Sequence, residues 1–181
     1  MDECDFLNLK REAAEAMFQL GVCYENGDGV EKNEAEAVKW YRRAAELKFS
    51  EAQFELAKCY TFGIGVKKNC AMASRWLRKA AEQDHVKSML ILGIRYQFGD
   101  GVERKPAGAV KWFRRAADQG DSRAMFELGD CYEKGFGVKK DSDAALLWFC
   151  RAGLASPEDE RLYQSVQTRI LSPEQKKVLE K

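Results

Sequence analysis

Hydrophobic and polar positions along this chain repeat at two intervals, one of a few residues and one of several tens. Between Ala16 and Ala45, the apolar residues Ala16, Leu20, Cys23 and Tyr24 fall at i, i+4, i+7 and i+8. That is the spacing of one helical face, and it predicts a helix A from about Glu12 to Asn26. A second stripe, Ala37, Trp40, Tyr41, Ala44 and Ala45, predicts a helix B from about Glu34 to Leu47. Gly27 stands where helix A must stop, because glycine enters the left-handed conformation without a Cβ clash. Gly29 lets the chain turn again, and Val30 is expected to tuck back beneath the loop. Asn33 then acts as N-cap, its side-chain oxygen accepting a backbone N–H. Two helices joined by so short a loop form an antiparallel hairpin.

The longer interval copies this unit four times. Trp40, Trp76, Trp112 and Trp148 lie 36 residues apart, as do Tyr24, Tyr60, Tyr96 and Tyr132. The pairs Gly27/Gly29, Gly63/Gly65, Gly99/Gly101 and Gly135/Gly137 keep the same step, each followed by a valine. Asn69 and Asp141 repeat the cap, while the third copy has Lys105 and then Pro106. Proline suits a first helical position, where its missing N–H has no partner to lose. A fixed period of this length marks stacked repeats. A single hairpin leaves one apolar seam open, and stacking closes it.

The fold class is therefore all-α, a right-handed α-α superhelix of four 36-residue helix-turn-helix repeats forming one domain over residues 1–181. The repeats are placed at about 12–47, 48–83, 84–119 and 120–155, with an N-terminal segment 1–11 and a C-terminal cap 156–181. Ala16, Ala37 and Ala44 are expected where helices approach closely, with the large rings filling the space between neighbours. Phe6, Leu7 and Leu9 are expected to cover the open seam of the first repeat. In the tail, Leu162, Val166 and Ile170 predict a helix at about 157–170. Ser172-Pro173-Glu174-Gln175 reads as a capping box that opens a short helix at 173–180.

Composition narrows the class further. Apolar content of 45% and charged content of 33% are those of a soluble folded protein. Thirty Lys and Arg against 29 Asp and Glu leave no overall basic excess to hold nucleic acid. No apolar run approaches the ~20 residues that span a bilayer, so no membrane insertion is expected. The polar start, MDECDFLNLKR, lacks a secretory apolar core, and the expected compartment is the cytoplasm. Of six cysteines, Cys23, Cys59 and Cys131 share one helix A position in repeats one, two and four, at least a repeat apart and too distant for a disulfide. Cys4, Cys70 and Cys150 are scattered, and all six are expected reduced. Arg95 takes the shared cysteine position in the third copy; its stem should pack while its head reaches water or a carboxylate.

His85 is the single histidine, expected at the surface of an interhelix link, and no Cys-x-x-Cys spacing accompanies it, so no metal site is expected. No paired nucleophile and base appear. The Gly-x-Gly loops follow helices and lack a phosphate fingerprint after a strand. Asn26-Gly27-Asp28-Gly29 fails the ligand spacing of a calcium loop. The basic doublets Arg42/Arg43, Arg78/Lys79 and Arg114/Arg115 read as a solvated outer ridge suited to the helix dipole. Phe62, Phe98 and Phe136 flank the loops as partner anchors or loop-closing contacts. No catalytic residue, cofactor or metal follows from the sequence.

The recurring Leu-Gly, Tyr, Gly-x-Gly-Val and Ala-x-x-Trp elements, closed by Ala-Ala, resemble the Sel1-like repeat family, relatives of the tetratricopeptide repeat. The resemblance covers about Glu12 to Ala155. It implies a non-catalytic adaptor that binds another protein or peptide on a concave wall of helices A. By analogy with tetratricopeptide repeats, the positions facing that wall are Glu15, Phe18, Val22 and Glu25, then Glu51, Phe54, Lys58 and Thr61. The third repeat offers Lys87, Leu90, Ile94 and Gln97, and the fourth Arg123, Phe126, Asp130 and Glu133. The resemblance also admits a secreted, penicillin-binding or β-lactamase-like member. That branch carries cysteine pairs beginning where this chain has Ala45, Ala81 and Ala117, which argues against it. A self-assembling structural protein is the other alternative. A monomer is expected, with end-to-end association as the variant.

Overall fold

A computed structural model describes residues 3–159, 164 and 166–169. Among them the regular structure is entirely helical. The order is α1 (Glu3–Asn26), α2 (Glu34–Glu46), α3 (Ser50–Phe62), α4 (Cys70–Glu82), α5 (Val86–Phe98), α6 (Pro106–Asp118), α7 (Ser122–Lys134) and α8 (Ser142–Ala155). Odd-numbered helices are the predicted helices A and even-numbered ones the helices B. The main packing runs between consecutive helices, first within a hairpin and then from each helix B to the next helix A. The result is a solenoid of four hairpins.

The helix ends follow the predicted chemistry. Asn33, Asn69 and Asp141 cap α2, α4 and α8 by accepting the N–H three residues on, and α6 opens on Pro106. Gly63, Gly99 and Gly135 stop α3, α5 and α7 in the left-handed conformation. The second glycine of each loop has a further reason. Gly101 has φ +68, and a Cβ there would lie 2.1 Å from the Cys70 carbonyl oxygen. Gly65 and Gly137 press equally closely on the backbone at Glu34 and Pro106, whereas Gly29, with no hairpin before it, has nothing within 4 Å. This glycine is where one repeat's loop rests on the start of the preceding helix B.

Within each hairpin, size is matched position for position. A Cβ on Gly21, Gly93 or Gly129 would sit 2.5–2.7 Å from the ring of Tyr41, Phe113 or Phe149. The second repeat carries Ala57 and Leu77 at these two positions, both buried. Between hairpins, Leu56, Leu92 and Leu128 are fully buried, with Ala52, Ser88 and Ala124 beside them.

The basic doublets lie on the surface as expected, with only Arg115 of the six half-buried, and they also tie the repeats together. The first member of each donates to a tyrosine hydroxyl on the next helix A: Arg42 to Tyr60 at 2.7 Å, Arg78 to Tyr96 at 2.8 Å, and Arg114 to Tyr132. The second lies over the tryptophan three residues before it: Arg43 on Trp40, Lys79 on Trp76 and Arg115 on Trp112. Arg151 covers Trp148 in the same way. Arg95 is buried, and its guanidinium is satisfied by the Cys70 and Asp100 carbonyls, the Ser74 and Thr61 hydroxyls, and the Asp100 carboxylate at 3.2 Å.

The ends depart from expectation. Helix α1 starts at Glu3, well before the expected Glu12. Phe6, Leu7 and Leu9 stay more than half exposed and do not cover the first seam. Ala16 and Leu20, expected on a packed face, are also exposed. Their counterparts in later repeats lie against a preceding helix B, which the first repeat lacks. At the other end residues 157–158 form a turn where a helix was expected to begin, while residues 164 and 166–169 of the expected 157–170 helix are helical. Val166 is buried against Ala145, Phe149 and Ala152. The expected helix at 173–180, its capping box, and Leu162 and Ile170 lie outside the described residues.

Candidate functional site

A cleft of about 980 Å³ opens along the wall made by α3, α5 and α7. Its apolar lining is Phe54, Leu90, Ile91, Ile94 and Phe126; Lys87, Arg123 and Glu127 bring charge, and Asp121, Ser122, Ser156, Glu158 and Asp159 complete it. The repeat period explains the lining. Phe54, Leu90 and Phe126 are one register position in three successive helices A, so stacking sets them in a row. Lys87 and Arg123 form a second row, three residues earlier on α5 and α7.

Six of the predicted wall residues thus meet in one cleft: Phe54, Lys87, Leu90, Ile94, Arg123 and Phe126. The others are placed differently. In the first repeat Glu15 is exposed and Val22 half-buried. Phe18 packs on the rings of Tyr41 and Phe49 at 5.6 and 5.3 Å. Glu25 accepts the Tyr41 hydroxyl, and burial together with that carboxylate pushes the tyrosine's pKa upward. Glu51 is exposed, taking a hydrogen bond from Ser50. Lys58 pairs with Glu55 and reaches toward the Phe54 ring. Thr61 serves the fold, donating to the Ala57 carbonyl and accepting from Arg95 at 2.6 Å. The Gln97 carbonyl accepts from Arg104 at 3.1 Å, beside the loop.

In the fourth repeat Asp130 is buried and Glu133 half-buried. Arg169 bonds to Glu133, lies 3.1 Å from Asp130, and stands over the rings of Phe126 and Phe149. Lys134 also pairs with Asp130. That end of the wall is therefore engaged by the chain's own later residues. Arg123 lies 3.6 Å from Asp159.

Sequence reasoning missed Ile91, Asp121, Ser122, Glu127, Ser156, Glu158 and Asp159. Asp121 was visible as the N-cap of α7, accepting from Ala124. Burial raises the Glu127 carboxyl above its usual range, with the Asp130 charge adding to it. His85 is not the surface residue expected. It caps α5, with Nδ1 2.8 Å from Ser88 Oγ and its ring 4.9 Å from that of Phe54. Desolvation there lowers its pKa. The loop phenylalanines divide: Phe62 and Phe98 are exposed, and Arg104 lies over Phe136.

Comparison with known proteins agrees with this architecture. The Sel1 repeat pattern matches residues 14–49, 50–85, 86–121 and 122–156. A Sel1 repeat protein from Oxalobacter formigenes is 37% identical with a TM-score of 0.79, over 87% of this chain and 62% of that one. A protective antigen of uropathogenic Escherichia coli with an SLR fold is 35% identical with a TM-score of 0.77, over 88% of this chain and 35% of its own. The chain thus spans less than two thirds of either relative. Cysteine-rich protein B of Helicobacter pylori, 23% identical with a TM-score of 0.56 over 76% of this chain and 98% of that one, shows the fold alone. No curated protein sequence matches. With four matched repeats spanning most of its length, the chain belongs to the Sel1 repeat family, whose members are generally protein-interaction modules.

Proposed function

We propose that this protein is a non-catalytic adaptor that holds an extended or helical segment of another protein in the cleft along α3, α5 and α7. The observation that carries the reading is the convergence of six of the expected wall residues, from three successive repeats, on that one cleft. An apolar floor with a few charged groups at its edge suits a peptide whose side chains anchor while its charges are read at the rim. Lys87 and Arg123 stay exposed above Leu90 and Phe126. Charged residues that differ between otherwise equal repeats give each segment of the wall its own preference. A reducing compartment accords with the five free thiols among the described residues, Cys23, Cys59, Cys70, Cys131 and Cys150. The residues at the cysteine-pair positions of the secreted branch, Ala45, Ala81 and Ala117, are buried alanines.

The test is selection from a displayed peptide library, followed by titration of the selected peptide. Replacing Lys87 and Arg123 by Ala, or Ile94 by Asp, should weaken binding at least about tenfold, roughly 1.4 kcal/mol. The thermal midpoint of the Lys87/Arg123 variant should stay unchanged. Peptides that bind these variants as tightly as the wild type would reject the cleft.

A further inference from the structure

We propose that helix α1 is a dimerisation helix that pairs antiparallel with α1 of a second copy of this chain. Phe6, Leu9, Ala13, Ala16, Leu20 and Cys23 follow one another at steps of three and four. That is the 3.5-residue interval of a coiled-coil seam. The seam is uncovered: Phe6 is 54% and Leu9 61% exposed, and Leu20 is 36% exposed where Leu56, Leu92 and Leu128 are 0%. Ala13 and Ala16 are exposed too. A separate face of α1, bearing Ala14 and Gly21, packs into the protomer. The C-terminal half of the seam continues an interface already present, since the equivalents of Ala16, Leu20 and Cys23 in the later repeats are buried where each helix A meets the preceding helix B.

Length and self-complementarity choose the occupant. From Phe6 to Cys23 the seam runs about 27 Å at ~1.5 Å per residue. The helices B have 13 or 14 residues, about 20 Å, and cannot cover it. Helix α1, with 24 residues and about 36 Å, is the only described helix that can. Pairing it antiparallel with itself sets Ala13 against Ala16 of the second copy at the two-fold axis. Leu9 then meets Leu20, and Phe6 meets Cys23. Small residues at the centre allow close approach, and large ones close the ends. In this register Glu12 lies beside Gln19, and Lys10 beside Met17 and Tyr24, so no like charges face each other. A two-fold contact of this kind closes on itself. Its area is at the small end of specific interfaces, below about 1,200 Å², so the dimer should be reversible.

Sedimentation velocity of the 181-residue chain over a concentration series reads this directly. The expected result is a monomer–dimer equilibrium with no larger species. Ala16→Glu or Ala13→Lys, both exposed in the protomer and both good helix formers, should each weaken the dimer about 100-fold as an unpaired charge enters the seam. The thermal midpoint of the monomer should not move. Mixing the two variants should restore a dimer, because Lys at 13 faces Glu at 16 across the axis. A monomer at every concentration overturns the proposal. So do a species that grows without limit, as α8 stacking on α1 would give, and a mixture that fails to pair.

Discussion

Arg42 donates to the hydroxyl of Tyr60 at 2.7 Å, half a repeat further along the chain. The same bond recurs from Arg78 to Tyr96 and from Arg114 to Tyr132, so each hairpin is tied to the next by a charged donor at its edge. Tyr60→Phe deletes the acceptor and keeps the ring. It should cost about 1 kcal/mol, the usual net value of such a bond, read as a lower urea midpoint with an unchanged slope. Tyr24→Phe is the control, since among the described residues no arginine donates to the Tyr24 hydroxyl, and it should cost less. Equal losses at both positions would show that the bond between repeats is not what stabilises Tyr60.

Gly93 and Phe113 are a matched pair. A methyl group at 93 would lie 2.5 Å from the phenylalanine ring. Gly93→Ala should therefore destabilise by about 1–3 kcal/mol, although alanine is the better helix former. Adding Phe113→Leu recreates the combination that the second repeat already uses, Ala57 with Leu77, and should recover part of the loss. Chemical denaturation of the four proteins of the cycle gives the coupling; additive losses would contradict the pairing.

Much of this was open to sequence reasoning, and what was missed has physical causes. The helix ends were legible because Asn33, Asn69 and Asp141 and the loop glycines act within a few residues of themselves. The row Phe54, Leu90 and Phe126 was legible because the period places register equivalents side by side. The role of Arg42 was not, because its acceptor lies on another hairpin, and a charge near a helix end satisfies the local rules equally well. His85 was misread for the same reason: its burial comes from Phe54, on the preceding helix A. Ala16 and Leu20 were misread because periodicity reports what a position does inside an array and says nothing about the array's first member.

Ser74 and Arg95 replace, in the second interface between repeats, the apolar pairs Val38 with Cys59 and Val110 with Cys131 in the others. Arg95 Nη1 lies 3.2 Å from Ser74 Oγ. Arg95→Cys alone should destabilise by about 3 kcal/mol or more, because the carbonyls of Cys70 and Asp100 lose a buried charged donor. Ser74→Val alone should cost less, removing one of several acceptors. Together they rebuild the apolar pair. The double variant should be more stable than the sum of the two losses predicts by about 0.5–3 kcal/mol. A coupling near zero, measured by denaturant titration, would mean that the two substitutions act independently.

His85 gives the fold a dependence on pH whose sign can be worked out. Desolvation lowers its folded-state pKa below the ordinary 6.5; Lys87 acts in the same direction, while Glu51 and Glu55 oppose it. Below about 6.5 the unfolded chain therefore takes up a proton that the folded chain refuses, and stability falls with falling pH. Its contribution is complete above 6.5, declines through the window down to the folded-state pKa, and levels off below that. His85→Asn keeps an N-cap oxygen for α5 and removes the titration. Between neutral pH and about pH 5, the wild type should lose more stability than this variant. Parallel stability–pH curves for the two proteins would show that burial against Phe54 does not hold the imidazole neutral.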